Sequence, residues 1–215
     1  MKYIMIYTPP LPQIGDYTMQ PTARTYSKFI DLYAKNAQPD KAVRALDRME
    51  CQYRNGNKAA LPRTIHYTSV IDALAKSAST SRDRAGTAED ILRSMLDLFD
   101  KGEYHLAPDE VIFSATIDAY AKSGRSDASE RSLAILDLMD TYQVSPDIIL
   151  YNTLLNTLSY DPHRYLCKSK DILHYIEQSP DLRADSFTYN AVIKSCLPEE
   201  AEQLIQVSKS ATHSL

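Results

Sequence analysis

Apolar residues recur along this chain with the period of an α-helix, and the same run is written five times. The clearest copies read "TYSKFIDLYAK" (25–35), "HYTSVIDALAK" (66–76) and "IFSATIDAYAK" (112–122). Weaker copies lie in "LYNTLLNTL" (150–158) and "TYNAVIKSC" (188–196). Registered on Tyr26, Tyr67, Phe113, Tyr151 and Tyr189, the copies are 41, 46, 38 and 38 residues apart. Three and four positions later stand Phe29 and Ile30, Val70 and Ile71, Thr116 and Ile117, Leu154 and Leu155, Val192 and Ile193. Seven and eight positions later stand Tyr33 and Ala34, Leu74 and Ala75, Tyr120 and Ala121, Leu158 and Ser159, Cys196 and Leu197. These offsets fall on one face of an α-helix, here called helix A of each repeat.

A second helical pattern, helix B, follows each first one. It reads "KAVRALDRM" (41–49), "AEDILRSML" (88–96), "SLAILDLMD" (132–140), "SKDILHYIE" (169–177) and "AEQLIQVSK" (201–209). Breaker-rich links separate A from B: "NAQPD", "SASTSRDRAG", "SGRSDAS" and "SYDPH". Pro21, Pro62, Pro108 and Pro146 stand one residue before a repeat's last residue. Proline cannot continue a helix but tolerates the first turn of the next. Ala184 replaces it at the fourth joint.

The prediction is an all-α chain of tandem helix-turn-helix repeats, with no strand pattern. One helix pair cannot bury its apolar face alone, whereas stacked neighbours can. The result is an α-solenoid, a superhelix with the A helices lining a concave surface. Residues 1–22 form an amino-terminal segment, the tail of an incomplete repeat. The units are 23–63, 64–109, 110–147 and 148–185, with a partial fifth repeat and tail over 186–215. Pro198 breaks the fifth copy, so both ends read as ragged or as pieces of a longer array.

Composition changes this picture little. The chain has 215 residues, 44% of them hydrophobic and 24% charged, enough for a substantial core. Its net charge of −4 does not advertise nucleic-acid binding. Cys51, Cys167 and Cys196 are odd in number and form no CxxC, so neither a disulfide framework nor a zinc knuckle is indicated. They are expected to be small buried residues in a reducing compartment. No apolar stretch reaches the roughly 18–20 residues of a membrane span. "MKYIMIYTPPLP" is too short for a signal peptide and lacks the arginines of a transit peptide.

"PDIILYNTLLNTL", "ADSFTYNAVIKSC" and "PDEVIFSATIDAYAKSGR" resemble pentatricopeptide repeats, whose consensus runs P-D-x-x-T-Y-N-x-L-I-x-x-x-x-K-x-G. The resemblance covers about residues 20–205 and extends to the repeat region of protein-only RNase P. The repeats here are longer than the family's. The extra residues fall in the A–B links and after helix B, in "CQYRNGNKAAL" and "LDLFDKGEYHL", where loops accept insertions cheaply. Tetratricopeptide repeats expect a Trp and a Leu-Gly in their first helix, and this chain has no Trp.

The resemblance implies single-stranded RNA as the partner. The residue after the helix-A aromatic, with the last residue of the same repeat, would read one base edge. Thr68 with Asp109 resembles a guanine reader, Ser114 with Asp147 a weaker purine reader, and Asn152 with Asp185 a uracil reader. Ser27 with Arg63 fits no familiar combination, and Asn190 has no clear partner. Repeats two to four would then prefer 5′-G-purine-U-3′. Arg24, Ile65, Val111, Ile149 and Phe187, two before each aromatic, would sandwich bases. Lys35, Lys76 and Lys122, nine after it, would form a phosphate-contacting stripe. Tyr160 takes that place in repeat four. Plainer readings stay open. Asp109, Asp147 and Asp185 sit where a helix N-cap belongs. Thr68 and Ser114 could bond back to the preceding turn. Each lysine follows an aspartate, Asp31, Asp72 or Asp118, by four residues, which makes a surface pair.

No catalytic motif is present: G-x-S-x-G, P-loop and H-E-x-x-H are all missing. His66, His105, His163, His174 and His213 are scattered, and His66 occupies the usual Thr position before Tyr67. The chain therefore reads as a non-enzyme with no catalytic or metal residues, no cofactor, no membrane and no small-molecule substrate. The expected function is sequence-selective RNA binding in organelle RNA processing, stability or translation, with mitochondrion or plastid implied by the resemblance alone. Protein partners are a further expectation. The rivals are a protein-binding scaffold of tetratricopeptide type and the RNA-binding arm of an RNase P-like nuclease without its catalytic domain.

Overall fold

A computed structural model describes residues 20–196 and residue 202. The helix-B pattern at 201–209 and residues 1–19 lie outside the described residues, save residue 202. The described elements are helical, and no helix among them is long and apolar enough to cross a membrane. The A helices are α1 (Ala23–Lys35), α3 (Thr64–Lys76), α5 (Glu110–Ser123), α7 (Ile148–Leu158) and α9 (Ser186–Ile193). The B helices are α2 (Pro39–Arg54), α4 (Asp83–Asp100), α6 (Ala128–Thr141) and α8 (Pro162–Gln178).

Caps set where the A helices begin. The Thr22 hydroxyl accepts the Thr25 N–H at 3.4 Å and the Thr25 hydroxyl accepts the Thr22 N–H at 3.3 Å. Asp109, Asp147 and Asp185 accept the N–H of Ile112, Leu150 and Thr188 at 3.0, 2.7 and 2.9 Å. Each satisfies an orphan donor of the first turn and places a negative charge at the positive end of the helix. Gly124 ends α5 in the left-handed region at φ +61°.

Each A helix packs on its own B helix, on the next A helix, and on the B helix that precedes it in the chain. Among the described residues the B helices make no comparable contact with one another. A contiguous A row with B helices spread behind it curves toward the A side, so the A helices line the concave surface. The aromatic and the residue four later are buried in the first four repeats: Tyr26 and Ile30, Tyr67 and Ile71, Phe113 and Ile117, Tyr151 and Leu155. The core is continuous from α1 to the start of α7 and gives way to a second cluster around α7, α8 and α9.

Three expectations need correction. The longer repeats are accommodated chiefly by helix, not by open loop. α4 starts inside "SASTSRDRAG" and runs on to Asp100, and short 3-10 turns occupy Lys58–Ala60, Ala78–Thr80 and Tyr104–Leu106. The turns seat Ala60, Ala78 and Leu106 in the core, so the inserted residues contribute apolar burial of their own. Cys51 and Cys167 are exposed and Cys196 is half-buried. Met49 and Ile172 take the core-facing positions of the two B helices concerned. Finally, the A-helix face is not covered at the amino-terminal end. Phe29 and Leu32 are 46 and 52% exposed, whereas Val70, Thr116, Leu154 and Val192, equivalent to Phe29, are buried against the preceding A helix. Helix α1 has no described repeat before it.

Hydroxyl-to-carboxylate bonds tie three of the A helices, α3, α5 and α9, to the B helix before them. Tyr67 donates to Glu50 at 2.8 Å and Tyr189 to Glu177 at 2.9 Å. At the second joint Phe113 has no hydroxyl, and Tyr120, two turns along the same helix, donates to Glu89 at 2.5 Å. Glu89 is only 4% exposed, yet it also accepts from Arg93 at 2.7 Å and faces Arg131 at 3.5 Å. Burial and the carboxylate push the Tyr189 hydroxyl up to about 12, and the same causes raise Tyr67 and Tyr120.

Candidate functional site

The concave face carries a polar stripe at every fourth residue of each A helix. It runs through Ser27, Asp31 and Lys35, then Thr68, Asp72 and Lys76, then Ser114, Asp118 and Lys122. In repeat four it becomes Asn152 and Asn156, with Tyr160 just past the end of α7, and in the fifth Asn190, with Lys194 just past the end of α9. Steps of four keep side chains in one row up the helix, so the lysines stand about 12 Å from the first member.

Beside the first member of the stripe, two residues before each aromatic, stands an apolar side chain that does not join the core. Ile65, Val111, Ile149 and Phe187 are 66, 60, 68 and 73% exposed. Arg24, at the equivalent place in α1, is exposed as well. A single exposed apolar residue needs no explanation, but four at one register position do.

The joints between repeats differ in their polar bonding. At the fourth joint the structure brings Asn152 and Asp185 together: Asn152 Nδ2 donates to both carboxylate oxygens at 3.1 and 3.3 Å. Thr188, fully buried, donates its hydroxyl to Asn152 Oδ1 at 2.7 Å and accepts the Asp185 N–H at 3.1 Å. Burial works against the Asp185 charge, but the bonds from Thr188, Asn152 and Phe187 together hold its carboxyl below the usual value of 3.8.

At the first joint the expected partner of Ser27, Arg63, is not the one that bonds it. His66 does: its Nε2 lies 2.9 Å from Ser27 Oγ, and its Nδ1 accepts the Arg63 N–H at 3.0 Å. A backbone N–H can only donate, so Nδ1 carries the lone pair and Nε2 the proton. The Ser27 hydroxyl then accepts from Nε2 and donates to the Ala23 carbonyl at 3.0 Å. Burial holds the imidazole pKa below the ordinary 6.5 despite its hydrogen bonds. His66 is thus more than a stand-in for the usual Thr before Tyr67. Arginine has no acceptor, so it cannot take the capping role that aspartate takes at the later joints.

No bond holds the reading residue across the middle joints, although at the second joint the Thr64 hydroxyl donates to the Ala107 carbonyl at 2.9 Å. Thr68 Oγ1 bonds back to the Thr64 carbonyl at 3.1 Å, and half-buried Ser114 makes no polar bond to Asp147 among the described residues. The residues at the place of His66 and Thr188 are Ile112 and Leu150, which are apolar and buried. Burial, followed by the charge of Asp147 and a hydrogen bond to it, raises the Glu110 carboxyl at the third joint. Asn190 is exposed, and the end of its repeat lies outside the described residues.

The lysines divide. Lys76 and Lys122 lie 2.5 Å from Asp72 and Asp118, whereas exposed Lys35 makes no ion pair with Asp31. Exposed pairs of this kind hold their partners weakly, worth about 0.3–0.5 kcal/mol, so the lysines can exchange an aspartate for another anion. Tyr160 is exposed, and Lys194 reaches back to Asn156 Oδ1 at 3.1 Å. Among the described residues no group of three His, Cys, Asp or Glu is placed to hold a metal.

The family model described as the PPR repeat matches residues 24–52, the span of α1 and most of α2. These residues are a pentatricopeptide repeat. The rest of the described chain repeats the same helix pair, and solved structures carry the comparison across it. The chain is similar to the pentatricopeptide repeat protein PPR10 from maize, with TM-score 0.62 and 21% identity, over 91% of this chain and 24% of that one. It is similar to PPR10 in complex with an 18-nt psaJ RNA element, with TM-score 0.61 and 22% identity, over 92% of this chain and 26% of that one. It is also similar to the PPR domain of Arabidopsis thaliana protein-only RNase P 1 in complex with tRNA. There the TM-score is 0.66 and the identity 15%, over 88% of this chain and 90% of that one. This chain spans about a quarter of the length of PPR10. No curated protein matches the sequence. The fold is a pentatricopeptide solenoid.

Proposed function

We propose that the concave face binds single-stranded RNA, with one unstacked base between successive exposed apolar side chains and its edge against the adjacent polar joint. The observation that carries this reading is the row of Ile65, Val111, Ile149 and Phe187, exposed at one register position and each beside a polar residue. A base has an apolar face and a hydrogen-bonding edge, and that pairing of surfaces suits both. PPR10 in complex with an RNA element supports the reading by its shared fold. Selectivity follows from the joints. Ionised Asp185 takes one Asn152 N–H and Thr188 occupies one lone pair of its oxygen. The second N–H and second lone pair remain, a donor beside an acceptor, which match the N3–H and carbonyl of uracil. Asp109 and Asp147 would act beside Thr68 and Ser114, without a bond between the two residues of each pair. Lys35, Lys76 and Lys122 contact phosphates. What supports a role in organelle RNA processing, stability or translation, in mitochondrion or plastid, is the repeat resemblance.

The test is fluorescence anisotropy of labelled single-stranded RNA, drawn from a randomised pool and titrated at several salt concentrations. The Lys35/Lys76/Lys122→Ala triple variant should bind more weakly. Its slope of log affinity against log salt should be shallower by about 2, since each phosphate contact on a single strand contributes about 0.7. Wild-type protein that binds no RNA at low salt would refute the reading.

A further inference from the structure

We propose that the residue just before the A-helix aromatic is a positioning residue for the reader of the preceding repeat, setting which hydrogen-bonding groups that reader offers. The inference rests on the RNA-binding reading above and deepens it. It adds Thr188 and His66 as positioning residues behind the readers Asn152 and Ser27.

Thr188 and His66 occupy the same place in their repeats and do the same two things. Each takes the N–H of the residue three before it, Asp185 or Arg63, at 3.1 and 3.0 Å. Each then reaches across the joint to the reader of the repeat before, Asn152 at 2.7 Å and Ser27 at 2.9 Å. Both are buried, at 0 and 4% exposure, so water does not compete for these bonds.

The consequence for each reader follows from counting protons. An Asn amide can present itself either way round. Asp185 would be satisfied by Nδ2 alone but would leave the ring of alternatives loose, because the side chain is half-exposed. The Thr188 hydroxyl on Oδ1 closes the second side, so Asn152 cannot rotate without breaking bonds at both ends. Asn152 therefore keeps a donor and an acceptor side by side. Ser27 is different. Its proton goes to the Ala23 carbonyl and it accepts from His66 Nε2, so only an acceptor lone pair is left. The first repeat is thereby assigned to bases that offer an amino or imino N–H. Ile112 and Leu150 can supply neither bond, so the Thr68 hydroxyl is held only by its own helix, at the Thr64 carbonyl, and no bond across the joint orients Ser114. The middle repeats should discriminate less sharply than their residue types suggest.

The experiment selects RNA from a randomised single-stranded pool with the full chain and compares base preference column by column. Thr188→Val keeps the shape and removes the hydroxyl, and Thr188→Ser restores it. The expected result is that Thr188→Val flattens the column of repeat four about fivefold and leaves the other columns alone, and that Thr188→Ser recovers it. Because Thr188→Val also weakens the cap of α9, the side-chain amide of Asn152 is followed by 15N NMR in the free protein. Its two N–H signals should lose their protection from exchange with solvent in Thr188→Val and regain it in Thr188→Ser. An unchanged column with an unchanged amide overturns the positioning role. If Asn152→Ala also leaves every column unchanged while RNA still binds, base reading itself fails, a different result from loss of the buttress.

Discussion

The outer joints of this solenoid and its middle joints share a backbone arrangement but differ in what crosses them. Between repeats one and two, and between four and five, a polar side chain bridges the groove: His66 to Ser27, and Thr188 to Asn152. Between repeats two and three, and three and four, the same position is Ile112 or Leu150 and faces the core. Behind the A row the outer joints carry Tyr67 on Glu50 and Tyr189 on Glu177, and in the middle of the solenoid the buried Glu89 gathers Tyr120, Arg93 and Arg131. The lesson is that one backbone position serves either packing or positioning. Apolar residues there add burial, worth about 1.5–3 kcal/mol for a large aliphatic side chain. A polar residue gives up that gain to orient a neighbour.

The largest effect should come from the bond behind the middle joint. Tyr120→Phe leaves the buried Glu89 carboxylate short of a donor, and denaturant unfolding should show a loss of about 1–3 kcal/mol. Tyr189→Phe, whose partner Glu177 is exposed, should cost about 0.5 kcal/mol or less. Equal losses would erase the distinction between the two regions. Next in size, Asn152→Ala should lower selective RNA affinity by about 1 kcal/mol, roughly fivefold. Ser114→Ala should change it little, because no bond holds Ser114 toward a base. A competition titration with matched and mismatched RNA reads both.

A smaller change concerns the third joint. Glu110→Gln removes a carboxyl that shares space with Asp147, and it should tighten RNA binding about twofold at low salt, with the gain screened away at high salt. Weaker binding would mean that the acid pair is part of the reader. The smallest effect is the pH response of His66. Burial, the leading cause, depresses its pKa below the 6.5 of the unfolded chain; the backbone hydrogen bonds at Arg63 and Ala23 and the charge of Asp31 oppose this, and the charge of Arg63 adds to it. Between those two values the unfolded chain binds the extra proton, so stability rises with pH there. The contribution is complete above about 6.5 and is lost as the pH falls below it. Denaturant midpoints from pH 8 down to 5 should fall more for wild type than for His66→Thr. A steeper fall in the variant would place the charge elsewhere.

Much of the helical architecture was legible because it is local. Offsets of three and four residues mark the buried face from Tyr67 to Leu74, and prolines and aspartates mark the starts. What the pattern misplaced lies where repeats depart from one another. The inserted residues around α4 read as loop because Ser, Asp and Gly favour turns, yet Ala78 and Leu106 found core to bury in. Phe29 reads as core by offset and is exposed, because the face it belongs to needs a preceding repeat. Cys51 and Cys167 read as buried by residue type and face solvent.

The sequence by itself determined the helix pairs, their order and the register that places a polar residue after each aromatic. Those are properties of stretches of a few turns, where periodicity and caps suffice. The tertiary structure decided who bonds whom across the groove. Ser27 and His66 are 39 residues apart, and Asn152 and Thr188 36 apart. The repeat resemblance, by position, paired Ser27 with Arg63. Only the stacking of one A helix against the next brings His66 within reach, since hydrogen bonds act over about 3 Å and the chain between must fold first.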